Sequence, residues 1–134
     1  MMNLGLVVAQ FNASVTEQMA EAATDAAADR GVELTSTVRV PGVYDTPLAA
    51  DRLARQDGVD AVTVVGAVVT GDTDHDQTIA DATAESLQEV GLERDTPVTF
   101  GVTGPGQSGA EARERVEKGA AAVDAAVDLV EALP

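Results

Sequence analysis

Apolar positions along this chain gather into four short runs, and helical patterns fill the intervals between them. Asn3–Ala9 (NLGLVVA) is compact and apolar enough for a buried strand, and the turn Gln10–Ser14 follows it. A helix is then expected from about Val15 to Arg30, with Gly31 as its stop. In Glu33–Val40, Val38 and Val40 alternate with Arg39, which predicts a strand with one wetter face. Pro41–Asp45 reads as a turn; Asp45 or Thr46 then caps a helix that carries Pro47 in its first turn and runs to about Arg55. Ala61–Val69 (AVTVVGAVV) is nearly unbroken and valine-rich, the signature of a central strand buried on both faces. A helix follows His75 to about Val90, with Gly91 as cap and Glu93–Thr96 as loop. Pro97–Val102 is the fourth strand, Thr103–Ser108 a turn, and Gly109–Leu133 helical with a break near Lys118-Gly119.

Strands alternating with helices in the order βαβαβαβα predict a parallel sheet with right-handed crossovers, a three-layer αβα sandwich. No linker, repeat or low-complexity segment divides residues 1–134, so one domain is expected, large enough for a real core. No stretch is long and apolar enough to span a membrane, and the first six residues do not read as a secretion signal.

Charge narrows the partners. With 23 acidic and 8 basic side chains the formal net charge is −15, which disfavours nucleic acid. The acids spread over alanine-rich helices as solvated faces, and lysine occurs once. Such a surface suits a salt-rich cytoplasm, where like-charge repulsion is screened. The absence of cysteine removes disulfides and thiolate metal sites and fits the same compartment.

In a parallel sheet the turns after the strands open on one edge, where α/β folds bind ligands. Phe11 and Tyr44, two of only three aromatic residues, follow the first and second strands. The third, Phe100, lies in the fourth. Rings in turns favour a flat, stackable ligand. The only histidine, His75, follows Gly71-Asp72-Thr73 at a helix start, where backbone N–H groups and a hydroxyl suit an anion such as phosphate. Arg113, Arg115 and Lys118 are the nearest thing to a basic cluster, although Glu111 and Glu114 stand four residues from Arg115 and Lys118.

Two lookalikes fail. Gly104–Gly109 matches GxGxxG, but no strand with a terminal acid follows it. Asp72, Asp74 and Asp76 open like a calcium loop, but Gln77 replaces the glycine and Thr83 the glutamate, so no metal site is expected.

Several separate motifs nonetheless agree with one family. Val8-Ala9-Gln10-Phe11-Asn12, the run from Val40 to Ala49, the run from Gly66 to His75, and Gly104-Pro105-Gly106 followed by Glu114-Arg115-Val116 resemble the lumazine synthases, most closely those of archaea. The resemblance spans nearly the whole chain. It implies a flavodoxin-like four-stranded sheet in the order 2-1-3-4 and an enzyme that condenses 5-amino-6-(D-ribitylamino)uracil with 3,4-dihydroxy-2-butanone 4-phosphate, the penultimate step to riboflavin, without a cofactor. It also implies a homopentamer or a multiple of one.

By motif, the resemblance gives Phe11 the pyrimidine to stack on, beside Asn12. Val43, Tyr44 and Asp45 would line the ribityl chain. Backbone groups of Ala67, Val68 and Val69 would read the ring edge. Asp72 and Thr73 would hold the phosphate with Arg115, and His75 would shuttle protons. Phe100, Arg115 and Lys118 would serve the neighbouring subunit's site. The chain departs from the family's usual residues at Asp45, Thr70 and Asp74, where Glu, Arg and Pro are common. Two other readings share this pocket, an archaeal-type riboflavin synthase and a non-catalytic flavin or ribityl-pterin carrier; the Gly71–His75 turn favours the synthase.

Overall fold

The computed structural model describes residues 2–134; Met1, the first residue of the expected domain, lies outside them. Four parallel strands form one sheet: β1 (Asn3–Ala9), β2 (Glu33–Val40), β3 (Ala61–Ala67) and β4 (Val98–Thr103), in the order β2-β1-β3-β4. This is the flavodoxin-like arrangement expected. Between and after the strands run α1 (Ala13–Asp29), α2 (Thr46–Ala54), α3 (Asp76–Arg94), α4 (Gly109–Arg113) and α5 (Lys118–Ala132).

Strand pleating divides the core into two layers. Leu4, Leu6 and Val8 of β1, with Ala61, Val65 and Ala67 of β3, face Met19, Ala23, Val123 and Ala126 of α1 and α5. Val7, Ala9, Val62 and Val64 face Ala50, Leu53 and Leu87 of α2 and α3. Every residue of β3 is buried, as an apolar run without alternation requires, while β2 alternates exposed and half-buried positions at the sheet edge. At the other edge Thr63 and Thr99 share a 2.9 Å hydroxyl contact, and the Thr99 hydroxyl donates to the Ala122 carbonyl of α5 at 2.8 Å. That ties β4 to the helix covering it.

Several boundaries differ from the sequence-based expectation; α1 begins at Ala13, inside the expected turn, and β4 is shifted by one residue to Val98–Thr103. Helix α3 runs through Gly91 to Arg94, and its cap is Asp95 in the left-handed region at φ 52. The last turn persists because Arg94 reaches across to Asp51 of α2 at 2.8 Å, and aspartate tolerates the left-handed cap. The expected break in the C-terminal helix falls at residues 114–117, directly before Lys118, leaving Arg115 in the connecting turn. Strand β3 stops at Ala67: the Val68 N–H still donates to the Thr103 carbonyl of β4, but the Val69 N–H turns to the Asp72 carboxylate and the Thr70 N–H to the Gln107 carbonyl. Neither Asp45 nor Thr46 caps α2 with its side chain. The Asp45 carboxylate accepts from the Gly42 N–H at 3.0 Å, and the Thr46 hydroxyl donates to the Val43 carbonyl at 2.7 Å. Both therefore close the 3-10 turn Val43–Asp45.

Candidate active site

All four strands end on one edge, and there the turns after β1, β2 and β3 enclose an open cleft of about 200 Å³. Its floor is apolar. Val43 and Val68 are buried in it, and Gly66 behind them makes room: a Cβ there would lie 2.8 Å from the Val43 side chain. Phe11 and Tyr44 flank the cleft, 57% and 68% exposed, so each ring presents most of its surface outward. Ile79, from the first turn of α3, completes the wall. A larger depression of about 390 Å³ lies at the opposite edge, by Asp60, Pro97 and the end of α5; it gathers leucines but none of the chemistry-bearing turns.

The polar side of the cleft is one tight turn. The Asp72 N–H donates to the Val69 carbonyl at 3.1 Å, and Gly71 takes the third position at φ 96, as a type II turn demands. The Asp72 carboxylate folds back inside this turn, accepting from the Val69 N–H at 3.2 Å and from the Asn12 amide at 2.7 Å. The same amide nitrogen donates to the Ala67 carbonyl at 3.1 Å. Asn12, itself left-handed at φ 66, thereby joins the end of β1 to the end of β3. The Thr73 hydroxyl accepts from the His75 N–H at 3.2 Å and keeps its own proton to donate. His75 occupies the N-cap position of α3, exposed, with its ring free of the helix.

The structure thus gathers Phe11, Val43, Tyr44, Ala67, Val68, Asp72 and Thr73 around one cavity, with Asn12 and His75 beside it. Val69 instead packs toward the α1 and α5 layer. The N–H groups of Val68 and Val69 are engaged by the Thr103 carbonyl and by Asp72, and their carbonyls accept from Gln107 and from the Asp72 N–H, so Val68 meets the cleft chiefly through its side chain. Asp45 turns back on Gly42.

Phe100, Arg115 and Lys118 stand apart from the cleft of their own chain. Phe100 lies mid-strand in β4 and packs on the α2 and α3 layer. Lys118 is exposed at the start of α5. Arg115, half exposed, donates to the Gln107 side-chain carbonyl at 2.8 Å and lies 3.5 Å from Glu111. Backbone and hydroxyl bonding with Ser108 holds the Glu111 carboxyl below its usual range.

Sequence reasoning missed Gly42, Ile79 and Gln107. Ile79 fell on a helix face and Gly42 read only as turn punctuation. Gln107 is 1% exposed inside a Gly/Pro turn, where no periodicity marks a buried polar residue.

Comparison with known proteins agrees along the whole chain. The profile of the 6,7-dimethyl-8-ribityllumazine synthase family matches residues 1–133. A 6,7-dimethyl-8-ribityllumazine synthase of Halobacterium salinarum is 71% identical over 133 residues, covering 99% of this chain and 100% of that protein. One of Halorubrum lacusprofundi is 68% identical, with 99% of each covered. One of Methanocaldococcus jannaschii is 41% identical, covering 99% of this chain and 94% of the other.

Proposed function

The chain belongs to the 6,7-dimethyl-8-ribityllumazine synthase family and so condenses 5-amino-6-(D-ribitylamino)uracil with 3,4-dihydroxy-2-butanone 4-phosphate; we propose that it does so in the cleft at the carboxyl edge of its sheet. The reaction forms 6,7-dimethyl-8-ribityllumazine, releases water and phosphate, and is a transferase step of riboflavin biosynthesis. The observation that carries the site is the meeting of Phe11, Tyr44 and the Asp72-Thr73 turn around one cavity, with the His75 backbone N–H bonded to the Thr73 hydroxyl.

In this reading the pyrimidine stacks on Phe11, and Val43 and Tyr44 bound the ribityl chain. Asp45 accepts from ribityl hydroxyls through the carboxylate oxygen that Gly42 leaves free. Thr73 donates to the phosphate, and His75 moves the protons. The amine attacks the ketone, the carbinol oxygen leaves as water, phosphate is eliminated and the ring closes. Each step moves a proton, which suits one imidazole working near neutral pH. Most of the acceleration comes from holding two substrates together. No cofactor is required.

The cleft lacks one part. Among the described residues its lining contains no basic side chain, yet a phosphate dianion near the Asp72 turn needs a cation. Arg115 supplies it from the next subunit, with Phe100 and Lys118 beside it, in a ring of five or a multiple of five. The location is the cytoplasm.

Complementation tests the shared site. Arg115→Ala, and separately Thr73→Ala with His75→Ala, each cripple a homo-oligomer. Co-refolded mixed rings contain junctions that pair an intact turn with an intact arginine, so activity should rise well above the parental mean. Mixed rings verified by mass with activity at that mean would place the whole site within one subunit.

A further inference from the structure

Gln107 carries more hydrogen bonds than a turn residue needs, and they tie the ends of β3 and β4 to Arg115. Its side chain is buried. The amide nitrogen donates to the Thr103 hydroxyl at 2.8 Å and to the Val68 carbonyl at 3.3 Å. The amide oxygen accepts from the Arg115 guanidinium at 2.8 Å. Its backbone carbonyl accepts from the Thr70 N–H at 2.8 Å. The partners settle the amide's orientation, because the Val68 carbonyl can only accept and the guanidinium can only donate.

We propose that Gln107 is the positioning residue for Arg115, a neutral clamp that aims the guanidinium at the phosphate of the bound substrate without neutralising it. The proposal rests on the reading of Arg115 as the phosphate cation. Arg115 sits in a turn, half exposed, where its long side chain is otherwise free to sample many rotamers, and binding an anion would then cost that freedom. Glu111 lies on the other side of the guanidinium but is exposed, and a carboxylate competes with phosphate for the same donors. A buried amide does neither harm. It accepts one hydrogen bond, carries no charge, and is itself held at two points. Only a side chain with both donor and acceptor satisfies these partners: glutamate would face the Val68 carbonyl with a second acceptor, and methionine would leave that carbonyl and Arg115 without the amide.

The test separates the two substrates. In Gln107→Met the KM for 3,4-dihydroxy-2-butanone 4-phosphate should rise about tenfold, the scale of one charge-assisted hydrogen bond. The KM for the pyrimidine should stay within about twofold. Competition by inorganic phosphate should weaken in parallel. The effect should vanish when Arg115→Ala is already present, since the clamp then holds nothing. If Gln107→Met does not assemble, Thr103→Val, which keeps side-chain shape and removes one anchor of the amide, should raise the same KM about threefold.

A large effect of Arg115→Ala with none from Gln107→Met or Thr103→Val would overturn the clamp and leave the role of Arg115 standing. An effect of Gln107→Met that persists undiminished in the Arg115→Ala background would overturn it as well, by showing that Gln107 acts on the fold. If Arg115→Ala itself leaves the phosphate substrate's KM unchanged, the reading of Arg115 falls and the clamp with it.

Discussion

The Asn12 amide donates both its hydrogens within the protein, to the Ala67 carbonyl and the Asp72 carboxylate, so only its carbonyl oxygen is left for a ligand. Asp72 in turn accepts from Asn12 and Val69, which draws its negative charge into the turn and away from an incoming phosphate. These side chains set the shape of the site, and His75 adds chemistry to it. With the cleft walls and the Asp72 turn built from other residues, His75→Ala should keep the substrates in place. It should slow turnover on the order of ten- to a hundredfold while leaving both KM values near wild type. Steady-state kinetics with each substrate varied in turn would check this; turnover lost entirely with binding intact would mean that proton transfer carries far more of the barrier.

Helices α2 and α3 cover one face of the sheet and also deliver the Tyr44 turn and His75 to the cleft, so their docking bears on the site. The Arg94 guanidinium grips the Asp51 carboxylate at 2.8 and 3.3 Å and holds its pKa below the usual carboxylate range. A carboxyl whose pKa is lower folded than unfolded adds stability above its unfolded pKa. That stability is lost as pH falls through the folded value. Asp51→Asn should therefore lower Tm at pH 7 even though it relieves net negative charge. The gap to wild type should close on acidification below about pH 4. Thermal melts of both proteins across pH would show it, and a pH-independent gap would assign the loss to packing. The same pair explains why α3 outruns Gly91: a contact between residues 43 positions apart extended the helix past a local stop signal.

Across the whole molecule, a net charge of −15 means that copies of this chain repel one another. Named relatives at 71% and 68% identity come from halophilic archaea, and salt at high concentration screens repulsion of this kind. The Debye length grows from about 3 Å at 1 M salt to about 10 Å at 0.1 M, so assembly should weaken as salt is lowered. Because the site is read as shared between subunits, activity should fall together with the assembled fraction. Sedimentation and turnover measured along one salt series test this jointly. An unchanged assembly over that range removes the argument.

The sequence by itself determined the strand and helix order, the parallel sheet and the turns that carry Phe11, Tyr44 and His75. Those features rest on local signals: apolar runs, glycine and proline punctuation, and the strand ends that parallel topology puts on one edge. The strand order and the residue roles came from motif resemblance rather than from any period in the chain. Tertiary structure alone decided which groups meet inside those turns. Asn12 joins Asp72 across 60 positions, Gln107 reaches Val68 across 39, and Asp45 turns back on Gly42 instead of capping α2. Each outcome depends on register and on competition among nearby donors for one acceptor. Hydrogen bonding of that kind has no periodicity, so no spacing along the chain announces it.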